Sequence, residues 1–256
     1  DTKDKRVFDK LILRTVMGCW NNAAIKDDVT AFIAKDLDLE SQHSKICLLF
    51  INGEFWGIYG IRDFFDRQYI EESFGFHEDS VSIINNASGH REGVPDDWGV
   101  FEGDNSHYAT LADFMENADM NQVSNYDYIK TQMDLSSMID YYATEIYFNQ
   151  KDWPAGNHKL WRGGGDTKWR WLLFDMDSGW GYLPVSYNGW NRLTTTTATD
   201  YSNPPWATFL LRKFLESPEW REEFKARYAC LMRNEFDPGV VSEAIDRFVD
   251  FYETGM

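Results

Sequence analysis

The stretch 148-FNQKDWPAGNHKLWRGGGDTKWRWLLFDMDSGWG-181 sets two polar loops on either side of what reads as a β-hairpin. HKLWR and KWRWLLF have strand character, and GGGDT between them supplies a turn rather than a phosphate cradle. In the second strand Trp169, Trp171 and Leu173 share one face, and Arg170, Leu172 and Phe174 share the other. A hairpin folds back on itself, so Asp152 and Asn157 before it can meet Asp175 and Asp177 after it. Carboxylates set among so many Trp residues are costly to desolvate unless they stay solvated or face a cation. Three carboxylates and an amide oxygen are hard donors, suited to Mg²⁺, Mn²⁺ or Ca²⁺ rather than zinc. One of the carboxylates can instead remain free as a base. Any one of these residues could simply cap a turn. The order loop, hairpin, loop is what favours a site.

Working outward, LILR near the start reads as a strand, and NNAAIKDDVTAFIAKDL as a helix with Ile25, Val29, Phe32 and Ile33 on one side. KICLLFINGEFWGIYGIR carries two apolar runs around Asn52-Gly53, the pair favoured in two-residue hairpin turns. DRQYIEESFG predicts a short helix closed by Gly75. Residues 86–107 are polar and Gly-rich and read as a long loop or insertion. HYATLADFMENA, NYDYIKTQM and DLSSMIDYYATEIYFNQ follow as helices; TTTTATDYSNPP reads as a loop, and the C-terminal part is helical, with Pro218 at a helix start. A strand-rich part followed by a helical part predicts an α+β protein of two lobes. The small N-lobe covers about 1–85 and the mainly helical C-lobe 108–256, within a single domain spanning 1–256. The cleft between the lobes is the expected site.

A net charge of −17 argues against nucleic acid as a partner, because phosphate contacts need a basic surface. It suits a basic protein partner or a bound cation. The 11 Trp, 13 Tyr and 18 Phe suit a packed core first and a stacking surface second. Cys19, Cys47 and Cys230 show neither CxxC spacing nor a disulfide framework. The five His residues show no metal spacing; His158 stands beside Asn157 as a neighbour. No Ser/His pair suggests a hydrolase triad. No apolar run is long enough to span a membrane, and no signal peptide is present. The chain reads as an excerpt of a longer protein.

Asp152-x4-Asn157, then a hairpin, then an Asp before a Gly turn is the order found in protein kinases. Beyond that order, FINGEFWGIYGIRDFFDRQYI and DWPAGNHKLWR…KWRWLLFDMDSGWG closely resemble the CotH kinase family of atypical kinases, from about LILR to past residue 181. The resemblance implies an atypical protein-kinase-like fold and transfer of the ATP γ-phosphoryl group to Ser or Thr of a protein, with Mg²⁺ or Mn²⁺. It implies that Asp152 is the catalytic base, that Asn157 and Asp175 are metal ligands, and that Asp177 is a second or alternative one. Arg14 takes the place of the phosphate-binding basic residue, with Asp27 or Asp28 as its ion-pair partner. Asp63 stands where the family usually has Glu, near the hinge between the lobes. The sequence departs from the family in LRTVMGCW, where Thr15 and Cys19 hold changed positions, and no glycine-rich loop precedes LILR.

The resemblance also implies a bacterial protein that is secreted or held at the cell surface. A basic, Ser-rich target would suit the acidic chain. The competing readings are a non-catalytic kinase-like module that binds a protein or glycan, and a Ca²⁺-stabilised structural domain.

Overall fold

A computed structural model describes residues 9–15, 23, 25–85, 99–181, 189–194, 197 and 202–255. Cys19 and half of TTTTATDYSNPP, residues 195, 196 and 198–201, lie outside the described residues. The architecture is α+β, with two sheets that differ in cover.

The smaller sheet has three strands in the order β1 (Leu11–Thr15), β4 (Glu54–Asp63), β3 (Ser44–Ile51), all antiparallel. Asn52 and Gly53 join β3 to β4 with φ of 53° and 84°, the left-handed pair that a twist-matched hairpin turn requires. One sheet face carries Ile12 and Arg14 of β1, Ile58, Gly60 and Arg62 of β4, and Ser44 and Ile46 of β3. Helix α1 (Lys26–Ala34) belongs with this face, buried through Val29, Thr30, Ile33 and Ala34. Gly60 stands opposite Arg14, and a Cβ there would lie 3.1 Å from Arg62 Nε and 3.3 Å from Ser44 Oγ. Its lack of a side chain leaves the Arg62 guanidinium a path across the sheet. The other face leaves Leu11 and Leu13 about half exposed, as are Phe50, Phe55 and Trp56 at the hairpin end.

The larger sheet has five strands in the order β2 (Glu40–Ser41), β8 (Arg170–Leu173), β7 (Lys159–Arg162), β5 (Ser82–Asn85), β6 (Val100–Glu102). Only β2 runs parallel to its neighbour. The two-faced reading of KWRWLLF is observed: Trp169, Trp171 and Leu173 enter the main core, while Leu172 enters a second core with Phe65, Tyr69, Ile70 and Trp161. Helix α2 (Arg67–Phe74) covers that second face; Asp66 caps its start by accepting from the Tyr69 amide at 2.8 Å, and left-handed Gly75 closes it.

The main core is helical: α3 (Ser106–Asn117), α4 (Val123–Gln132), α5 (Leu135–Tyr147), α6 (Gly189–Thr194), α7 (Phe209–Glu216), α8 (Pro218–Leu231) and α9 (Pro238–Gly255). Asp140, fully buried on α5, holds α8 through paired bonds of 2.6 and 2.9 Å from Arg227 and accepts from the Asp38 amide at 2.8 Å. Pro218 opens α8 as expected, with Ser217 as the cap.

Residues 86–107 are not loop throughout. Val100–Glu102 forms β6 against β5, and α3 begins at Ser106; residues 86–98 lie outside the described part. Gly99 and Gly103, with φ of 89° and 76°, flank this strand, so the glycines read as loop punctuation are its ends.

Candidate active site

The β7–β8 hairpin brings its two flanks together. Lys159 pairs with Leu172 in register, so the loop before β7 and the turn after β8 leave the sheet side by side. Three polar residues of this region adopt left-handed backbone, Asn149, Asn157 and Asp175, with φ of 51°, 53° and 59°. Asn and Asp are the non-glycine types that tolerate it best. The Asp175 carbonyl is clamped twice, by Gln150 Nε2 at 2.6 Å and Asn157 Nδ2 at 3.1 Å. With its amide nitrogen so committed, Asn157 has Oδ1 left as an acceptor. The Tyr141 hydroxyl donates to the Asn157 carbonyl at 3.0 Å, fixing the loop to α5.

Asp177 and Ser178 lie on the single helical turn Met176–Ser178. The Ser178 hydroxyl donates to Asp152 Oδ2 at 2.7 Å and lies 3.3 Å from Asp177 Oδ1, joining the two carboxylates. Arg14 reaches in from β1: its Nη2 pairs with Asp175 Oδ1 and lies 3.3 Å from Asp177 Oδ2. Asp152, Asn157, Asp175, Asp177 and Arg14 are therefore gathered into one group. Burial, then the charge of Asp175, pushes the Asp177 carboxyl above its ordinary pKa, against the pull of Arg14.

Arg14 does not pair with Asp27 or Asp28. Those residues, at the start of α1, take Arg62 instead: Nη1 with Asp27 Oδ2, and Nη2 3.4 Å from Asp28 Oδ1. The reason is position on the sheet. Arg14 and Arg62 share a face two register steps apart, and α1 lies beside Arg62 while the Asp175–Asp177 turn lies beside Arg14. Asp27 still serves the site, since its Oδ1 accepts from the Met176 amide at 2.8 Å and ties α1 to the turn. Lys26 adds a second tie, donating to the Gly179 carbonyl at 3.3 Å, and the Trp180 indole adds a third, donating to Thr30 Oγ1 at 2.7 Å. Burial, then the charge of Arg14, lowers Arg62 to about 10, and burial raises Asp28.

Asp63 lies outside the group. It ends β4 on the opposite face from Arg14, where its Oδ2 meets His43 Nδ1 at 2.8 Å and the His43 amide at 3.2 Å. His158 is a core residue: 2% exposed, it accepts from the Trp171 indole at 3.1 Å, and burial lowers it to about 3. Lys159 is also partly enclosed, and burial brings its ammonium down to about 8.

Sequence reasoning missed Gln150, Ser178 and Arg62. Ser178 was legible as a hydroxyl within DMDSG, next to the carboxylate it joins. Gln150 and Arg62 carry no motif of their own; they matter through partners 25 and 35 residues away.

Asp175, Asp177 and Asn157 supply only oxygen donors, which fits a hard divalent cation. The crowding of the Asp175 and Asp177 carboxylates points the same way, and Arg14 meets part of their charge. Among the described residues no set of three or more Asp, Glu, His or Cys side chains stands ready-arranged as a metal cage, and Arg14 holds two of the carboxylates. A cation there would be held by Asp175 and Asp177 with Asn157 beside them.

A comparison with curated proteins returns no match. The profile of the family described as CotH kinase protein matches residues 5–256, nearly the whole chain and every group placed above. With the predicted order of loop, hairpin and Asp turn now seen as one polar cluster under the small sheet, the chain belongs to the CotH kinase family.

Proposed function

We propose that this protein transfers the γ-phosphoryl group of ATP to a Ser or Thr hydroxyl of a protein substrate, with Mg²⁺ or Mn²⁺ bound. The observation that carries the reading is the group itself. A cationic side chain from the small sheet meets two carboxylates, next to a third whose oxygen already accepts from a hydroxyl.

Asp152 is the base in this reading. The Ser178 hydroxyl, 2.7 Å from its Oδ2, stands where an acceptor hydroxyl would stand, within the reach general base catalysis needs. When a substrate hydroxyl replaces it, that oxygen bonds to the γ-phosphorus. The phosphorus–oxygen bond to ADP breaks, and the hydroxyl proton passes to Asp152. Asp175, Asp177 and Asn157 would hold a divalent cation, whose charge would offset that of the phosphates. Arg14 then exchanges its carboxylates for phosphate oxygens, a geometry that guanidinium suits. The half-exposed position of Arg14 supports such an exchange, with its side chain 34% accessible.

The acidic chain suits a basic, Ser-rich target, and the family suggests one outside the cell or on its surface. A second reading, a binding module without catalysis, is favoured by one observation. Phe50, Phe55 and Trp56 present an exposed aromatic end to the small sheet, fit for a protein or glycan partner.

Transfer of label from γ-labelled ATP to a basic Ser-rich peptide, with wild type and Asp152→Asn, separates the two. Loss of a base of this kind costs roughly 10²–10⁴ in rate while nucleotide binding persists. Equal labelling by both proteins removes Asp152 from the chemistry, and no labelling by wild type favours the binding module.

A further inference from the structure

Lys159 opens β7 two residues after Asn157, on the sheet face that also carries Trp161 and Leu172. Its ammonium lies 3.9 Å from the ring centre of Phe101 and 4.9 Å from that of Phe174. Phe174 immediately precedes Asp175, so this aromatic cluster begins where the carboxylate group ends. Phe64, just after β4, closes toward it, 6.3 Å ring to ring from Phe101. The cluster therefore reaches from the carboxylates toward the segment that joins the two sheets.

The nearby acids are committed elsewhere. Asp66 takes Lys10 at 2.7 Å and the Tyr69 amide at 2.8 Å, and Glu102 takes the Arg67 amide at 2.6 Å. Among the described residues the Lys159 ammonium donates no hydrogen bond and closes no ion pair. An ammonium carries three donors and no acceptor. Burial of the Lys159 stem against two rings has a desolvation cost that contact with the ring faces offsets in part, while its Nζ is not among the fully enclosed groups.

Building on the phosphotransfer reading, the geometry points to Lys159 as the residue that reads the nucleotide base, donating to an acceptor on its edge. With the phosphates at Arg14 and the Asp175–Asp177 turn, a nucleotide that extends toward the joining segment lays its base against this cluster. Phe101, Phe174 and Phe64 supply apolar contact for a flat ring. The ammonium then selects by chemistry: it can donate to a ring nitrogen or a keto oxygen, and it cannot accept from an exocyclic amine. A purine with a keto oxygen gains most from it. Lys159 is thus a specificity-determining residue rather than part of the phosphate site.

Calorimetric titration with ATP, GTP and inorganic tripolyphosphate, each with Mg²⁺, tests this on wild type, Lys159→Met and Lys159→Arg. One lost charge-assisted hydrogen bond corresponds to about a tenfold loss of affinity. The Met variant is expected to weaken both nucleotides by that much, GTP more than ATP, with tripolyphosphate unchanged. The Arg variant, which keeps donors, should recover part of the loss. Equal weakening of tripolyphosphate would place Lys159 with the phosphates, and unchanged nucleotide affinity would make it a packing residue; either overturns the inference while phosphotransfer stands. Binding of none of the three ligands by wild type overturns both readings.

Discussion

Arg14 and Arg62 reach from the same face of the small sheet, and each meets two aspartates, yet the two regions are built differently. The Arg62 side chain is 5% accessible and its partners Asp27 and Asp28 are 10% and 2%. That of Arg14 is 34% accessible, facing Asp175 and Asp177 at 25% and 21%. A buried pair cannot lose one member cheaply, because the other charge is left in a dry interior. A half-exposed pair can exchange one partner for water, metal or phosphate at small cost. The fold thus fixes α1 and the Asp175–Asp177 turn with one arginine and leaves the other free to act.

The largest effect on stability is expected from Arg62→Met, which strands two buried carboxylates. Breaking a buried pair costs about 3–5 kcal/mol. For a chain of this size that corresponds to a melting point lower by about 10 °C, measured by differential scanning calorimetry. A change of a degree or two would make the Arg62 region no more rigid than the Arg14 region.

A buried group without a charge gives an intermediate effect. Burial lowers His158 from its ordinary value of 6.5 to about 3, so the folded protein keeps it neutral. A depressed folded pKa in a base means that the unfolded chain binds the proton first as pH falls. Stability contributed by the neutral ring is present above the unfolded value and is lost between pH 6.5 and about 3. The slope is on the order of 1 kcal/mol per pH unit. Denaturant melts of wild type and His158→Gln across this window check it; the variant should lack the extra slope.

The smallest stability effect is expected at Arg14→Gln, below about 1 kcal/mol, because the pair is partly solvated. Function is where this arginine should show: stabilisation by nucleotide and metal should be lost although the melting point of the bare protein hardly moves. A thermal-shift series on Arg14→Gln reads both at once. A large fall in the melting point without ligand would make Arg14 a structural residue like Arg62.

Much of this comparison was legible in the residues, and the part that was not has a physical cause. The hairpin at Asn52-Gly53 and the two faces of KWRWLLF follow from local rules of turn chemistry and alternation, and both are present. The convergence of Asp152, Asn157, Asp175 and Asp177 follows from the folding back of β7 on β8, again a local device. Pairing across distant chain was not legible. Arg14 meets residues 161 and 163 positions away, and only the register of β1 with β4 decides that Arg62, not Arg14, takes α1. Strand β6 is three residues inside a Gly-rich stretch, too short for alternation to declare itself. The two-residue β2 owes its existence to β8 rather than to its own sequence.

The central claim, that the turn under the small sheet is a metal–nucleotide site, is tested most directly by thermal-shift titration with ATP and Mg²⁺ or Mn²⁺ on wild type and Asp175→Ala. A ligand at a hundred times its Kd adds about 2.7 kcal/mol, or roughly 5–10 °C for a chain of this size. The account predicts that rise in wild type, only with nucleotide and metal together, and its absence in Asp175→Ala. Stabilisation by metal alone with nothing added by ATP, or an equal rise in both proteins, would contradict it.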